Sequence, residues 1–337
     1  MATASSHRDA ADSVELEAER APLPAVWESK GSRTGRPRKQ RTLKGAQWRD
    51  KIAPYLFLAP WLIGFFVITL GPMLYSLYLS FTDFSLLAEP NWVGLDNYIR
   101  MFTNDPKYFE SVRVTLVYVF VSVPFQLAFA LLLALALNRG LRGLSLYRSI
   151  YYLPSLIGAS VAIAVLWRQM FGSNGLINQA LAVVGIEGQS WIGSPDSALG
   201  TLIILNIWTF GSPMVIFLAA LRQIPEYLYE AAAVDGISRW GAFRHITLPM
   251  LTPIVLFNLI LQLIGAFQAF TPAYVVSGGT GGPVSSTLFY TLYLYQRGFT
   301  GFQMGYASAL AWVLFVVIAI VTAINFWFAR YWVHYDD

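Results

Sequence analysis

Six stretches of this chain carry no charged residue. No Asp, Glu, Lys or Arg occurs between Lys51 and Asp83, Arg113 and Arg139, Arg148 and Arg168, Asp196 and Arg222, Arg244 and Arg297, or Arg297 and Arg330. A helix needs about 20 apolar residues to cross roughly 30 Å of hydrocarbon, so each gap has room for one spanning helix. The expected spans lie near 54–80, 112–137, 149–170, 199–221, 250–272 and 304–329. The gap after Arg244 is long enough for two, but its second half opens with the glycine-rich Ser277–Pro283. The apolar run that follows, Val284 to Gln296, is about 13 residues, which suits an interfacial or partly inserted helix. The expected fold class is an all-α integral membrane protein with six transmembrane helices.

Composition agrees. Only 12% of the 337 residues are charged and 56% are hydrophobic, with a mean hydropathy of +0.51. A soluble domain carries about 25% charged residues, so a soluble globular enzyme and a disordered chain are both argued against. The absence of cysteine excludes disulfides, thiolate metal sites and cysteine nucleophiles. His7, His245 and His334 are too scattered for a histidine-rich metal site. Neither a metal site nor a catalytic residue is expected.

The charge is unevenly placed. Residues 1–51 hold 11 Lys and Arg against 7 Asp and Glu, and the rest of the chain holds 12 of each sign. The net charge of +4 therefore belongs to the tail. Its run Gly31–Arg41 reads as a topogenic flank facing lipid headgroups, and no nucleic-acid partner is implied. Residues 1–50 contain no apolar run, so the tail is expected to be a disordered cytoplasmic segment without a secretory signal. With that tail inside, 18 of the 23 Lys and Arg fall on cytoplasmic segments, leaving Arg100, Lys107, Arg113, Arg168 and Arg297 outside. The positive-inside bias then predicts both ends of the membrane domain, residues 51–332, to be cytoplasmic.

Every acidic residue can be placed outside the spans, which argues against proton coupling through a buried carboxylate and against a voltage sensor. Polar and helix-breaking residues remain within them: Pro124, Gln126, Pro154, Ser155, Asn206, Pro213, Asn258, Gln262 and Gln268. Each is read first as a kink or an interhelical hydrogen bond, and second as lining for a watery path.

The segment between spans four and five, residues 223–249, is the most informative loop. Pro225 suits the first turn of a helix, the run to Val234 is rich in helix formers, and Gly236 provides a C-cap. Ser238 can cap a second short helix ending at Pro249. Leu228, Ala231 and Ala232 are expected on one apolar face, with Glu230 and Asp235 as exposed acids. A helix of small residues with an acidic end invites docking into a groove on a partner.

The spacing Glu230-Ala231-Ala232, three residues, Gly236, nine residues, Ile246, one residue, Leu248-Pro249 resembles the EAA motif of binding-protein-dependent ABC importer permeases. The resemblance extends over about residues 51–332. Pro54–Pro60, Gly71-Pro72, Ser80–Thr82, Val93–Tyr98, Tyr147–Pro154, Asn206–Trp208, Gly278-Gly279 and Gly305–Trp312 are similar to stretches of carbohydrate-uptake permeases. Gly94-Leu95 with Asn97-Tyr98 points to the F-type membrane subunit of maltose-like transporters. The expected six spans depart from the maltose protein itself, which carries extra N-terminal spans and a large periplasmic insertion, so maltose in particular is doubtful. The resemblance implies that this is a multi-pass protein of the bacterial cytoplasmic membrane, in contact with lipid. It implies a G-type permease partner, two copies of an ABC ATPase that bind ATP and Mg, and an extracytoplasmic solute-binding protein. It further implies that Glu230, Ala231, Ala232, Asp235 and Gly236 form a coupling helix passing ATPase closure to the membrane.

No Gly-x-x-x-x-Gly-Lys-Ser/Thr phosphate loop occurs, so this chain is expected to bind no ATP itself and to act as a transport subunit, not an enzyme. Sugars are held by aromatic faces and by neutral amides and hydroxyls, few in number within an apolar wall. Span four offers Asn206, Trp208, Thr209 and Phe210; span five offers Phe267, Gln268, Phe270 and Tyr274; span three offers Tyr152 and Ser155. By similarity, the positions around Asn206–Phe210, Gly265–Ala269, Ser155 and Ala159 match those lining the sugar in the maltose permease. With no Arg or Lys among these positions, neutral oligosaccharides rank above glycerol phosphates. The alternative is an ion-coupled transporter or channel for a small polar solute, which the uncharged spans disfavour. A membrane enzyme ranks last for want of a His, Asp or Glu constellation.

Overall fold

The structure is a computed structural model that describes residues 44–138, 143–158 and 160–334. The expected tail falls mostly outside these residues, as do Arg139, Arg142 and Ala159. Among the described residues all regular structure is helical, apart from isolated bridges pairing Thr82 with Trp92 and Ser85 with Ala88. Among the described residues five helical stretches are long and apolar enough to cross a membrane: Pro54–Ser80, Pro106–Leu137, Pro195–Leu221, Arg239–Ser277 and Met304–Trp332. A sixth is counted if the bent pair Leu144–Ile157 and Val161–Met170 is one span.

The chain divides after Gly64 into two compact units. In the first, α1 (Lys44–Gly64) carries Pro54 and Pro60 internally and exposes Tyr55, Leu56 and Phe57. Such an apolar exposed face suits lipid contact.

The second unit begins with a π-helical turn, Phe65–Leu70, followed by α2 (Gly71–Ser80), α3 (Asp96–Thr103) and α4 (Pro106–Leu137). Then come α5 (Leu144–Ile157), α6 (Val161–Met170), α7 (Leu176–Val183), α8 (Pro195–Trp208) and α9 (Gly211–Leu221). The last elements are α10 (Glu226–Val234), α11 (Arg239–Ala242), α12 (Leu248–Phe267), α13 (Thr271–Ser277), α14 (Tyr290–Tyr295) and α15 (Met304–Trp332).

Helix α4 is the hub, packing against α8, α9, α12 and α14. Its buried residues Val119, Val123, Gln126, Leu127, Ala130 and Ala134 recur three or four apart, which places them on one face. The two alanines let neighbouring backbones approach, the usual source of helix association where lipid removes the hydrophobic drive. Several of the carbohydrate-permease stretches meet in one knot. The buried Asn97 amide donates to the carbonyls of Ser80 and Thr82 at 2.9 and 2.8 Å, closing the end of α2. A Cβ at Gly305 would lie 2.1 Å from the Thr82 carbonyl oxygen, so only glycine fits.

The structure sharpens two expectations and corrects a third. The third expected span is bent: α5 and α6 turn by 95° relative to each other. Ser160 begins the second half as an N-cap, its Oγ accepting from the Ile163 N–H at 3.3 Å. The segment 284–296 is helical over α14 and packs against the other helices. Leu288, Phe289, Tyr290, Leu292 and Tyr293 are buried in the bundle. The Tyr290 N–H finds a membrane-compatible partner in Thr115 Oγ1 at 2.8 Å. Finally, the helix started by Ser238 does not end at Pro249. It passes through a π turn, Phe243–Thr247, directly into α12, whose first turn absorbs Pro249 because an N–H there has little to bond.

Candidate functional site

The loop between spans four and five is shaped by its caps. Pro225 caps α10, and at its other end Gly236 adopts φ +73°. The Gly236 and Ile237 N–H groups donate to the carbonyls of Ala233 and Ala232 at 3.1 and 2.9 Å, a Schellman closure. Ser238 Oγ then accepts from the Gly241 N–H at 3.2 Å to start α11. Tyr229 and Thr247 hydroxyls, 2.8 Å apart, tie α10 to the base of span five. Ala232 turns inward and is buried, whereas Ala231, which the spacing put on the same face, stays exposed together with Glu230, Asp235 and Gly236. Tyr227, Val234 and Trp240 are also exposed. The loop thus presents acids and large apolar side chains to one side while staying anchored on the other.

Spans four and five are each broken in mid-course. Span four breaks at Thr209–Phe210, between α8 and α9. The carbonyl of Thr209 accepts from Gln126 Nε2 at 3.1 Å and from Ser155 Oγ at 2.8 Å, and the Ser212 N–H donates to Ser155 Oγ at 2.8 Å. Gln126 Nε2 also reaches Thr209 Oγ1 at 2.9 Å, and the Asn206 amide donates to Ser122 Oγ at 3.0 Å. At Gly211 a Cβ would lie 2.4 Å from the Tyr151 carbonyl oxygen, so glycine permits the close contact with α5. Span five breaks at Gln268–Phe270, between α12 and α13.

Between the two breaks lies a cavity of about 280 Å³ lined by Tyr118, Asn206, Thr209, Gln268 and Phe270, with backbone from Gly158 and Gly265. Of the sequence-selected path residues, Asn206, Thr209, Gln268 and Phe270 come together here. Ser155 stands behind, holding the Thr209 backbone. Phe210 and Phe267 are buried in the main core, the first edge-on to Phe129 at 4.9 Å and the second near Phe120 at 6.4 Å. Trp208 packs beside Trp167 in a separate small cluster. The cavity wall holds neutral amides, hydroxyls and aromatic faces and no charge, a surface suited to a neutral polyhydroxylated solute. Its volume lies at the lower edge of the roughly 300–1,000 Å³ common for ligand pockets.

Two polar sites take their partners from far along the chain. Gln126 is almost fully buried and braces the span-four break through a residue 83 positions away. Asp105, the N-cap of α4, is buried and accepts hydrogen bonds from the Tyr293 and Tyr306 hydroxyls. It also lies 3.5 Å from the Arg297 guanidinium. Burial alone would raise its pKa, but the two tyrosine hydroxyls, Arg297 and the Tyr108 N–H outweigh it and hold the carboxyl below its ordinary value. Nothing in the local sequence pairs Asp105 with groups nearly two hundred residues away. Among the described residues no group of three His, Asp or Glu comes together as a metal site.

An α-helical membrane bundle with broken spans around a neutral cavity, and an anchored loop at one end, is the arrangement of a permease. Residues 103–333 match the family described as binding-protein-dependent transport system inner membrane component, and the chain belongs to that family. It is 52% identical over 290 residues to the probable ABC transporter permease protein YesP of Bacillus subtilis, covering 86% of this chain and 94% of that one. It is 36% identical over 282 residues to the lactose transport system permease protein LacF of Rhizobium radiobacter, covering 82% and 93%. Among solved structures, a bacterial alginate ABC transporter in complex with an alginate pentasaccharide-bound periplasmic protein aligns with TM-score 0.73 and 25% identity, covering 86% of this chain and 97% of that one. The protein is therefore a multi-pass inner-membrane component of a binding-protein-dependent ABC transporter.

Proposed function

We propose that this chain is one of two permease subunits of an ATP-driven importer for a neutral oligosaccharide. In this reading it has six spans with both ends and the 223–249 loop in the cytoplasm, residues 1–50 as a cytoplasmic tail and 51–332 as the membrane domain. A G-type permease completes the pore, two copies of an ABC ATPase carry ATP and Mg, and an extracytoplasmic binding protein delivers the sugar. The relatives named for lactose, arabinooligosaccharides and trehalose/maltose support a sugar cargo. The uncharged cavity wall favours a neutral one.

The observation that carries the reading is continuity. The stretch Arg239–Ser277 runs without interruption of helix from the exposed loop up to the break at Gln268. A push on Glu230, Ala231, Ala232, Asp235 and Gly236 by a closing ATPase is passed through the Tyr229–Thr247 tie to the base of that stretch, and so to the cavity. In the resting state the cavity holds the sugar weakly through Asn206, Thr209, Gln268 and Phe270, with Ser155 positioning Thr209.

A mild-detergent pull-down of the tagged chain from its native membrane tests this. A second permease and an ATPase are expected to co-purify. Glu230→Lys, at an exposed position that the fold does not need, is expected to strip off the ATPase and keep the permease. Retention of the ATPase by Glu230→Lys, or its absence from the wild-type complex, would sink the coupling role.

A further inference from the structure

Span five's break is roofed by the segment that follows it. Thr291 Oγ1 donates to the Ala269 carbonyl at 2.5 Å, and Gln296 Nε2 donates to the Gly279 carbonyl at 2.7 Å, so both ends of α14 are fastened to α13 and its flanks. One side of this roof, Tyr290, Leu292 and Tyr293, is buried in the bundle. Its other side carries Tyr295 and Phe299, one helical turn apart. Their rings join those of α13 in a continuous series. Phe270 lies 5.3 Å from Tyr274 and 5.2 Å from Tyr295, and Tyr295 stacks on Phe299 at 5.2 Å with 26° between planes. Phe270 is itself part of the cavity wall, and Tyr274 and Phe299 are exposed at 38% and 56%.

The polar groups along this series say what it faces. Among the described residues none hydrogen-bonds the Gln268 amide or the Tyr274 and Tyr295 hydroxyls. Amides and hydroxyls left unpaired in hydrocarbon are disfavoured, so these groups face water, a solute or another polar surface and not the lipid tails. Aromatic faces edged by free hydroxyls, continuous with a neutral cavity, have the chemistry that packs against the apolar face of a pyranose or furanose ring while bonding its hydroxyls.

We propose that Phe270, Tyr274, Tyr295 and Phe299 form a stacking track that takes a saccharide of two or more rings. One ring sits at the cavity and the next lies along α14. This rests on the sugar-importer reading and sharpens it, since it gives the second ring of an oligosaccharide its own contact surface.

Uptake by native-host cells carrying chromosomal variants tests the track. The probes are labelled arabino- and malto-oligosaccharides of one to five rings, together with lactose and trehalose, and the membrane content of the chain is checked by blot. Tyr295→Leu and Phe299→Leu are expected to lower uptake of probes with two or more rings by about two- to tenfold per aromatic face removed, the range that aromatic contacts contribute. Uptake of the single-ring probes stays unchanged, and Tyr295→Phe, which keeps the face and loses the hydroxyl, lowers uptake of the longer probes less than Tyr295→Leu does. An equal fall at every length, no change at any length, or loss of the permease partner from the Tyr295→Leu complex would overturn the track while leaving the importer reading in place. A wild type that takes up single rings alone would do the same. A wild type that takes up none of the probes overturns the sugar reading itself, and the track with it.

Discussion

The two broken spans are broken in different ways. At the span-four break the freed Thr209 carbonyl is held by protein: Gln126 and Ser155 converge on it, and Ser155 also accepts from the Ser212 N–H. At the span-five break the Ala269 carbonyl is likewise held, by Thr291, but the Gln268 side chain lines the cavity with no hydrogen-bond partner among the described residues. In a membrane, irregular backbone survives only where protein or water satisfies it. The sealed break is satisfied by protein and so fixes geometry. The open one keeps polar groups available, which is what a transported solute needs. The contrast separates residues that hold the fold from residues that meet the cargo, although all of them are neutral polar side chains within spans.

If sealed polar groups hold the fold, the largest loss belongs to the most sealed one, Asp105. It gathers Tyr293, Tyr306 and Arg297 around the start of α4. Asp105→Asn leaves Arg297 without its counter-charge, and breaking a buried pair costs about 3–5 kcal/mol. Because the Arg297 side chain is 28% exposed, the lower end, about 3 kcal/mol, is expected. It would be read as a lower melting temperature of the purified chain in mild detergent. The pH dependence has a definite sign. The folded-state pKa of Asp105 is depressed, so its stabilisation is complete above the ordinary aspartate value of about 3.9 and is lost as pH falls through the lowered one. Below about pH 4 the wild type should lose melting temperature faster than Asp105→Asn. Parallel curves would show that the carboxylate is not held in this way.

The next effect is at the sealed break. Gln126→Leu keeps the volume roughly constant but removes both donors to Thr209 and the Gln126 oxygen that lies 3.4 Å from the Asn206 amide. Leaving buried groups unpaired costs about 1–3 kcal/mol. The loss should be close to 2 kcal/mol, since Ser155 still reaches the Thr209 carbonyl. Uptake should fall with it, because the cavity wall at Asn206 and Thr209 loses its brace. A variant as stable as the wild type would mean that span four's break is not sealed by Gln126.

Where the sequence was legible follows from the range of the interactions. Each uncharged gap contains a long helix or a bent pair, because the cost of burying charge in hydrocarbon acts on every residue of a span. The caps at Gly236 and Ser238 could be read because capping is local, settled within four residues. Pro249 could not. A proline two residues into a helix and a proline that ends one look alike in sequence, and the π turn before it decides the matter. The breaks in spans three, four and five were visible only as polar or proline residues that could equally have been kinks. Asp105 was out of reach altogether, since it is defined by partners that the fold brings from far along the chain; Gln126 was legible as an interhelical hydrogen bond, and only its partner Thr209 was hidden. The same holds for the candidate cavity. Its residue types could be named in advance, but the inward packing of Phe210 and Phe267, and the turn of Gln268 toward open space, are tertiary facts.

The smallest effect on stability, and the sharpest test of the contrast, is Gln268→Leu. Its side-chain amide bonds nothing among the described residues and its position is exposed, so the substitution should change unfolding free energy by no more than about 0.5 kcal/mol, as at ordinary surface sites. Transport should behave otherwise. An amide that hydrogen-bonds a sugar hydroxyl contributes about 1 kcal/mol net, so uptake of an oligosaccharide that the wild type accepts should fall by about fivefold, with the complex intact. Gln126→Leu and Gln268→Leu then form a pair, similar in chemistry and opposite in outcome: the first loses stability and then transport, the second transport alone. If Gln268→Leu destabilised the chain as much as Gln126→Leu and left uptake unchanged, the amide would have to be satisfied by a partner subunit. The span-five break would then be sealed as well, and the path would run elsewhere.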